Sequence, residues 1–219
     1  MLHSVNDSVP PEFARENCPN NAIRPLELER LILALKRAGY SFAKFLDAVE
    51  RGGAKTVCLT FDDGLEDNYS ALLPILRRHS VPCTCFVTNR GAHSPEFLSP
   101  AQIREMDASG LVEIGGHTAN HAKLDELPPD AARREIVENK LWLEDVLGRS
   151  VASFCYPKGG ENDSVVRMVR DAGYACAAAM VKKMRPPSAD PYRVHRQIIP
   201  RGMETWQAYL LATRGKCRI

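Results

Sequence analysis

Short apolar runs alternate with amphipathic stretches along most of the chain, and this alternation constrains the fold more than any other feature. Residues 56–61 (TVCLTF) form a β-rich apolar run, and 67–79 follow as a helical pattern with Leu72, Leu73, Ile75 and Leu76 apolar. A second strand is predicted at 81–87. Ser99 and Pro100 supply a cap and a first-turn proline for the next helix, which Gly110 ends. A third strand at 111–114 precedes the longest helix, 129–147, which stops at Gly148. A fourth strand at 151–154, a helix over 162–172 and a fifth strand at 175–180 complete the pattern. Further helices are predicted at 24–39, 42–50 and 204–213. Alternation of this kind predicts an α/β fold with a mainly parallel sheet. At 219 residues the chain suits one domain, read as 1–219, with the polar, proline-rich stretch 182–191 as a surface loop.

Charge and cysteine content exclude several function classes. Lys plus Arg number 29 against 27 Asp plus Glu, so no basic field points to a nucleic-acid partner. No apolar run is long enough to span a bilayer, and no signal peptide is visible. The seven cysteines (Cys18, Cys58, Cys83, Cys85, Cys155, Cys176 and Cys217) are odd in number and lie mostly in apolar segments. They are read as reduced core residues, which together with the missing signal implies a cytoplasmic protein.

The chemistry sits where strands stop. Asp62-Asp63, His117 with His121, and Tyr156-Pro157-Lys158-Gly159 each follow directly after a predicted strand. In a parallel α/β sheet those positions share the face where active sites are built. Two adjacent aspartates can divide labour between holding a divalent metal and taking a proton from water. Asp62-Asp63-Gly64 alone reads equally well as a turn. His117 and His121, four apart, would share one face of a helical turn and a metal; alone they read as surface or capping histidines. One carboxylate with two imidazoles suits zinc or another borderline first-row ion such as Co, Ni or Mn. His79 is read as a helix C-cap, His93 as a solvated loop residue, and Trp142 and Trp206 as packing. The Asn-x-Ser/Thr matches at Asn6, Asn68 and Asn162 carry no weight.

Thr60-Phe61-Asp62-Asp63-Gly64, then His117-Thr118-Ala119-Asn120-His121, then Phe154-Cys155-Tyr156-Pro157-Lys158-Gly159 resemble three motifs of the polysaccharide deacetylases with a NodB homology domain, carbohydrate esterase family 4. The resemblance covers about 56–180. It implies a distorted (β/α)7-type barrel, Asp62 as general base, and one divalent ion on Asp63, His117 and His121. The third motif would line the groove, with a backbone N–H near Lys158 helping the metal to stabilise the oxyanion. Three positions depart from the commonest pattern. Cys155 stands where an arginine usually pairs with the base aspartate; Arg196 is the candidate replacement. Lys158 stands where an aromatic residue is frequent. The C-terminal motif carrying the acid histidine is absent. Met1-Leu2-His3-Ser4-Val5 resembles the opening of the circularly permuted branch that includes biofilm poly-N-acetylglucosamine deacetylases, which implies His3 as general acid.

The expected function is metal-dependent hydrolysis of the acetamide of an N-acetylated sugar, with a sugar precursor of cell-envelope polysaccharide as substrate. Two alternatives remain open: a catalytically weakened barrel that binds glycans or a partner, and an amidohydrolase for a small non-sugar amide.

Overall fold

The computed structural model describes residues 1–7, 22–92, 94–180 and 190–214. Cys18, Cys217, His93 and most of the 182–191 loop lie outside them. In chain order the elements are β1 (Ser4–Val5), β2 (Ala22–Ile23), α1 (Pro25–Arg37), β3 (Ser41–Phe42), α2 (Phe45–Arg51), β4 (Thr56–Val57), β5 (Thr60–Phe61), α3 (Leu73–His79), β6 (Cys83–Val87), α4 (Pro100–Ala108), β7 (Val112–Gly116), α5 (Pro129–Leu147), β8 (Ser153–Cys155), α6 (Asp163–Asp171), β9 (Cys176–Met180), β10 (Val194–Arg196) and α7 (Thr205–Arg214). A π-helical turn, Asn68–Leu72, leads into α3.

Six strands form one curled, parallel sheet in the order β10-β9-β8-β7-β6-β5. The first residues of the chain span its two edges. Leu2 bridges Phe61 in parallel, with Leu2 N–H donating to Thr60 at 2.9 Å and Asp62 N–H donating to Leu2 at 3.0 Å. On the other side Met1 nitrogen donates to the Gln197 carbonyl at 2.6 Å, and Ile199 N–H to Met1 at 3.2 Å. The parallel sheet is what the strand–helix alternation predicts, and its closure gives the distorted (β/α) barrel that the family resemblance implies, with residues 1–3 in the seventh place.

Alternation along the strands sorts side chains into two cores. Phe86, Cys155, Cys176 and Ala178 point inward, where Phe45 from α2 plugs the barrel and meets Phe86 edge-on at 5.5 Å. Val87, Ile114, Phe154 and Ala177 point outward to join the larger core beneath the helices. Ser99 caps α4 and Gly148 ends α5 in a left-handed conformation as the sequence suggests, while the Gln102 half of the α4 capping box and the Asn162 cap on α6 were not anticipated. Cys83, Cys85, Cys155 and Cys176 are buried and unbridged, and Cys58 is half-buried and unbridged.

Four points differ from expectation. The run 56–61 is two strands, since β4 pairs with β3 and only β5 joins the main sheet. The helix predicted at 42–50 starts at Phe45, because Ser41 and Phe42 are taken by β3. β10 was not expected, as Val-His-Arg offers no apolar run. Trp142 packs partly against the core, but Trp206 is 58% exposed and is not a packing residue.

Candidate active site

The C-terminal ends of the parallel strands bring Asp62, Asp63, His117, Arg196 and the 156–159 turn to one face, and the Leu2 bridge adds His3 to them. Asp63 and His121 do not sit on regular elements. Asp63 has φ 76°, and His117 and His121 are joined by a loop with φ 63° at Thr118 and φ 57° at His121. The expected helical turn is therefore absent: the two rings converge, 5.1 Å apart, because the loop folds back on itself.

Residues that sequence reasoning missed hold this loop. Asn139, fully buried on α5, accepts from His117 N–H at 2.8 Å and donates to the Val87 carbonyl at 3.0 Å and to Asn89 at 2.7 Å. One turn earlier Glu135 accepts from Asn120 N–H and Nδ2, both at 2.8 Å. Thr88 donates to the Ala119 carbonyl at 3.0 Å. The signal was present in the sequence: Asn139 interrupts an otherwise apolar stripe, Ala132, Ile136, Leu143 and Val146.

Asp63, His117 and His121 each bring one ligand atom within 4.8 Å of the others. Nε2 of His117 and of His121 lie 3.4 and 3.2 Å from Asp63 Oδ1, a buried oxygen that accepts no hydrogen bond. His117 Nδ1 lies 2.8 Å from the Cys155 carbonyl, which can only accept, so Nδ1 carries the proton and Nε2 faces the cluster. An orphaned carboxylate oxygen facing two oriented imidazoles fits a divalent cation. The second grouping, Asp62 with His117 and Cys155, fits less well because Asp62 is already engaged.

Arg196 grips Asp62 through both oxygens, at 2.6 and 2.7 Å, and also donates to Thr60 Oγ1 at 3.1 Å and to Cys155 Sγ at 2.8 Å. Its guanidinium lies over the Phe86 ring at 5.3 Å. Cys155 thus shares the pocket with the ion pair. Burial alone would raise the Asp62 carboxyl; the Arg196 charge and hydrogen bonds outweigh it and hold Asp62 well below the ordinary carboxylate range. Asp63 is likewise raised by burial and then driven low by His3, His117 and His121. Burial and the facing His117 pull His121 down to about 4, so it is neutral and able to donate a lone pair.

His3 is 7% exposed, and its Nε2 lies 3.9 Å from Asp63 Oδ2. Tyr156 is buried and donates to the Tyr192 carbonyl at 3.0 Å; Pro157 is buried behind it. Lys158 and Gly159 both have left-handed backbone, φ 55° and 66°. A Cβ on Gly159 would meet the Met180 carbonyl oxygen at 3.1 Å. Gly159 and Gly160 spend their N–H groups on Tyr156 and Pro157, and proline has none, so the Lys158 N–H is the donor this turn does not consume. Cations line the approach: Lys158 and Arg90 both act on His121.

Comparison with known proteins gives the chain's family. Residues 50–177 match the family model described as polysaccharide deacetylase. YxkH of Bacillus subtilis is 26% identical over 149 residues, which are 68% of this chain and 53% of that protein. The poly-beta-1,6-N-acetyl-D-glucosamine N-deacetylase of Staphylococcus epidermidis is 24% identical over 213 residues, 89% of this chain and 74% of that one. The chain thus spans about half the length of the first of these relatives. The deacetylase PplD of Streptococcus pyogenes, solved in complex with acetate, superposes with a TM-score of 0.83 at 25% identity, over 97% of this chain and 95% of its own. More than half of the chain carries the family pattern, and the chain belongs to the polysaccharide deacetylase family.

Proposed function

We propose that the chain is a metal-dependent N-deacetylase that hydrolyses the acetamide of an N-acetylated sugar. The observation that carries this reading is the division of labour between adjacent aspartates. Asp62 is committed to Arg196, while Asp63 offers an oxygen without a hydrogen bond to two histidines. Asp63, His117 and His121 would hold the ion. Asp62, kept ionised by Arg196, takes a proton from the attacking water. A carboxylate held so low is a weak base, and a bound divalent ion supplies what it lacks by acidifying that water and polarising the acetyl carbonyl. The Lys158 N–H donates to the oxygen that becomes anionic. His3, whose Nε2 lies 3.9 Å from Asp63 Oδ2, gives a proton to the departing amine. Tyr156 and Pro157 wall the groove.

The binding-only alternative rests on the missing motif arginine and the short N-terminal strand; the Arg196–Asp62 pair, which brings that charge from another strand, supports the catalytic reading against it. The test is acetate release from N-acetyl sugars, nucleotide-linked sugars, chito-oligomers and a small non-sugar amide, with zinc-replete protein. Release from a sugar is expected, lost on chelation and reduced about 10²–10⁴-fold in Asp62→Asn. Tight zinc binding with no release from any substrate would overturn the reading. Release from the small amide alone would move it to the other alternative.

A further inference from the structure

Among the described residues the imidazole of His3 has no hydrogen-bonding partner to aim it. Nδ1 is buried and unpaired, and Nε2 has only Asp63, at 3.9 Å. Its direction is therefore set by its backbone. On one side Leu2 is fixed to β5 by the two hydrogen bonds that close the barrel. On the other side, two side chains from the turn after β5 hold the next three residues. Asn68, with no exposed surface, donates through Nδ2 to the His3 carbonyl at 2.9 Å. Asp67 accepts from the Ser4 hydroxyl and from the Val5 N–H. Asn68 Nδ2 also donates to Asp67 Oδ1 at 2.9 Å, which locks the two side chains to each other.

We propose that Asn68 and Asp67 are positioning residues for His3, acting as a clamp that fixes the strand bearing it beside Asp63. This rests on the reading of His3 as the acid. The clamp begins four residues after Asp63 on the same short stretch of chain. One segment therefore carries both carboxylates and sets the place of the group that faces them. The π-helical turn at Asn68–Leu72 widens the first helical turn at this point, a distortion that recurs at functional sites. An amide suits position 68 because its two N–H bonds serve two acceptors at once, the His3 carbonyl and Asp67.

A role through His3 predicts a pattern that general damage does not. Breaking the acetamide C–N bond requires the amine to leave with a proton. Breaking the ester bond of 4-nitrophenyl acetate does not, since the phenolate leaves as an anion. The experiment uses the zinc-loaded full chain with chito-oligomers and 4-nitrophenyl acetate, in wild type, Asn68→Ala, His3→Ala and the double variant. Asn68→Ala should lower kcat on the amide about tenfold, with KM, zinc affinity and the ester rate within twofold of wild type. Added to His3→Ala, it should cost nothing further. Ser4→Ala, which removes one contact of the clamp, should show the same pattern with a smaller loss and serves if Asn68→Ala does not fold. Equal losses on amide and ester, or a full Asn68→Ala loss in the His3→Ala background, would overturn the clamp. Wild-type amide rates in His3→Ala would instead remove the acid assignment beneath it.

Discussion

Arg196 and Asp62 meet largely withdrawn from solvent, at 7% and 3% exposure. Removing one partner strands the other's charge, which typically costs about 3–5 kcal/mol. Arg196→Met is therefore expected to unfold at markedly lower urea concentration than wild type, and to lose activity with it. The sign of the pH dependence follows from the carboxyl's direction. Its folded pKa is depressed, so its contribution is full above the unfolded value of about 3.9 and drains as pH falls from there towards the folded value. The stability gap between wild type and Asp62→Asn should stay level from neutral pH to about 5 and shrink below about 4, by melting temperature. Asp62, Asp63 and His117 were legible in the sequence because each follows a predicted strand, and His121 through its four-residue spacing from His117. Arg196 was legible only as a candidate. The strand it ends, Val194–Arg196, is three residues long and joins the sheet through β9 alone, so neither periodicity nor composition marks it. Asn68 and Asn162 looked like chance glycosylation matches, yet one pins a strand and the other caps a helix.

At the scale of elements, the loop between β7 and α5 is built by the helix that follows it. Asn139 and Glu135 lie one turn apart on α5 and hold opposite ends of the His117–His121 loop. Asn139→Leu would leave His117 N–H and the Val87 carbonyl without partners, at about 1–3 kcal/mol for each buried group. Because His117 loses its backbone anchor, zinc affinity should also fall on the order of tenfold, as for other groups that support a ligand. Calorimetric titration against a melting curve separates the two effects. Helices such as α5 and α6 were readable from their caps and stripes. The histidine loop was misread as helical because four-residue spacing is also what a tight left-handed loop can produce, and left-handed φ at Thr118 and His121 has no glycine to announce it. The glycines that do precede it have a different task. A Cβ on Gly116 would lie 2.3 Å from Tyr174 Oη and 2.7 Å from Asn139 Oδ1, so β7 can approach α5 only without one.

Across the whole molecule, the parallel α/β sheet was legible because alternation of strands and helices is a global pattern. Its closure was legible only through resemblance, since nothing in Met1-Leu2-His3 announces a strand that joins residues 196 positions apart. That join has a kinetic consequence. The bonds from residues 1–3 to β5 and to the segment after β10 are among the longest-range contacts in the chain, and such contacts form slowly because loop-closure entropy precedes their reward. Until they form, β5 and β10 are open edges with unpaired N–H and C=O groups, the feature by which one chain templates on another. Refolding from urea should therefore lose yield to aggregation as protein concentration rises, measured by light scattering, and most steeply when Leu2→Pro removes a donor at the seam. The residues that bring His3 to the site are also the ones that end the molecule's exposure to its own copies.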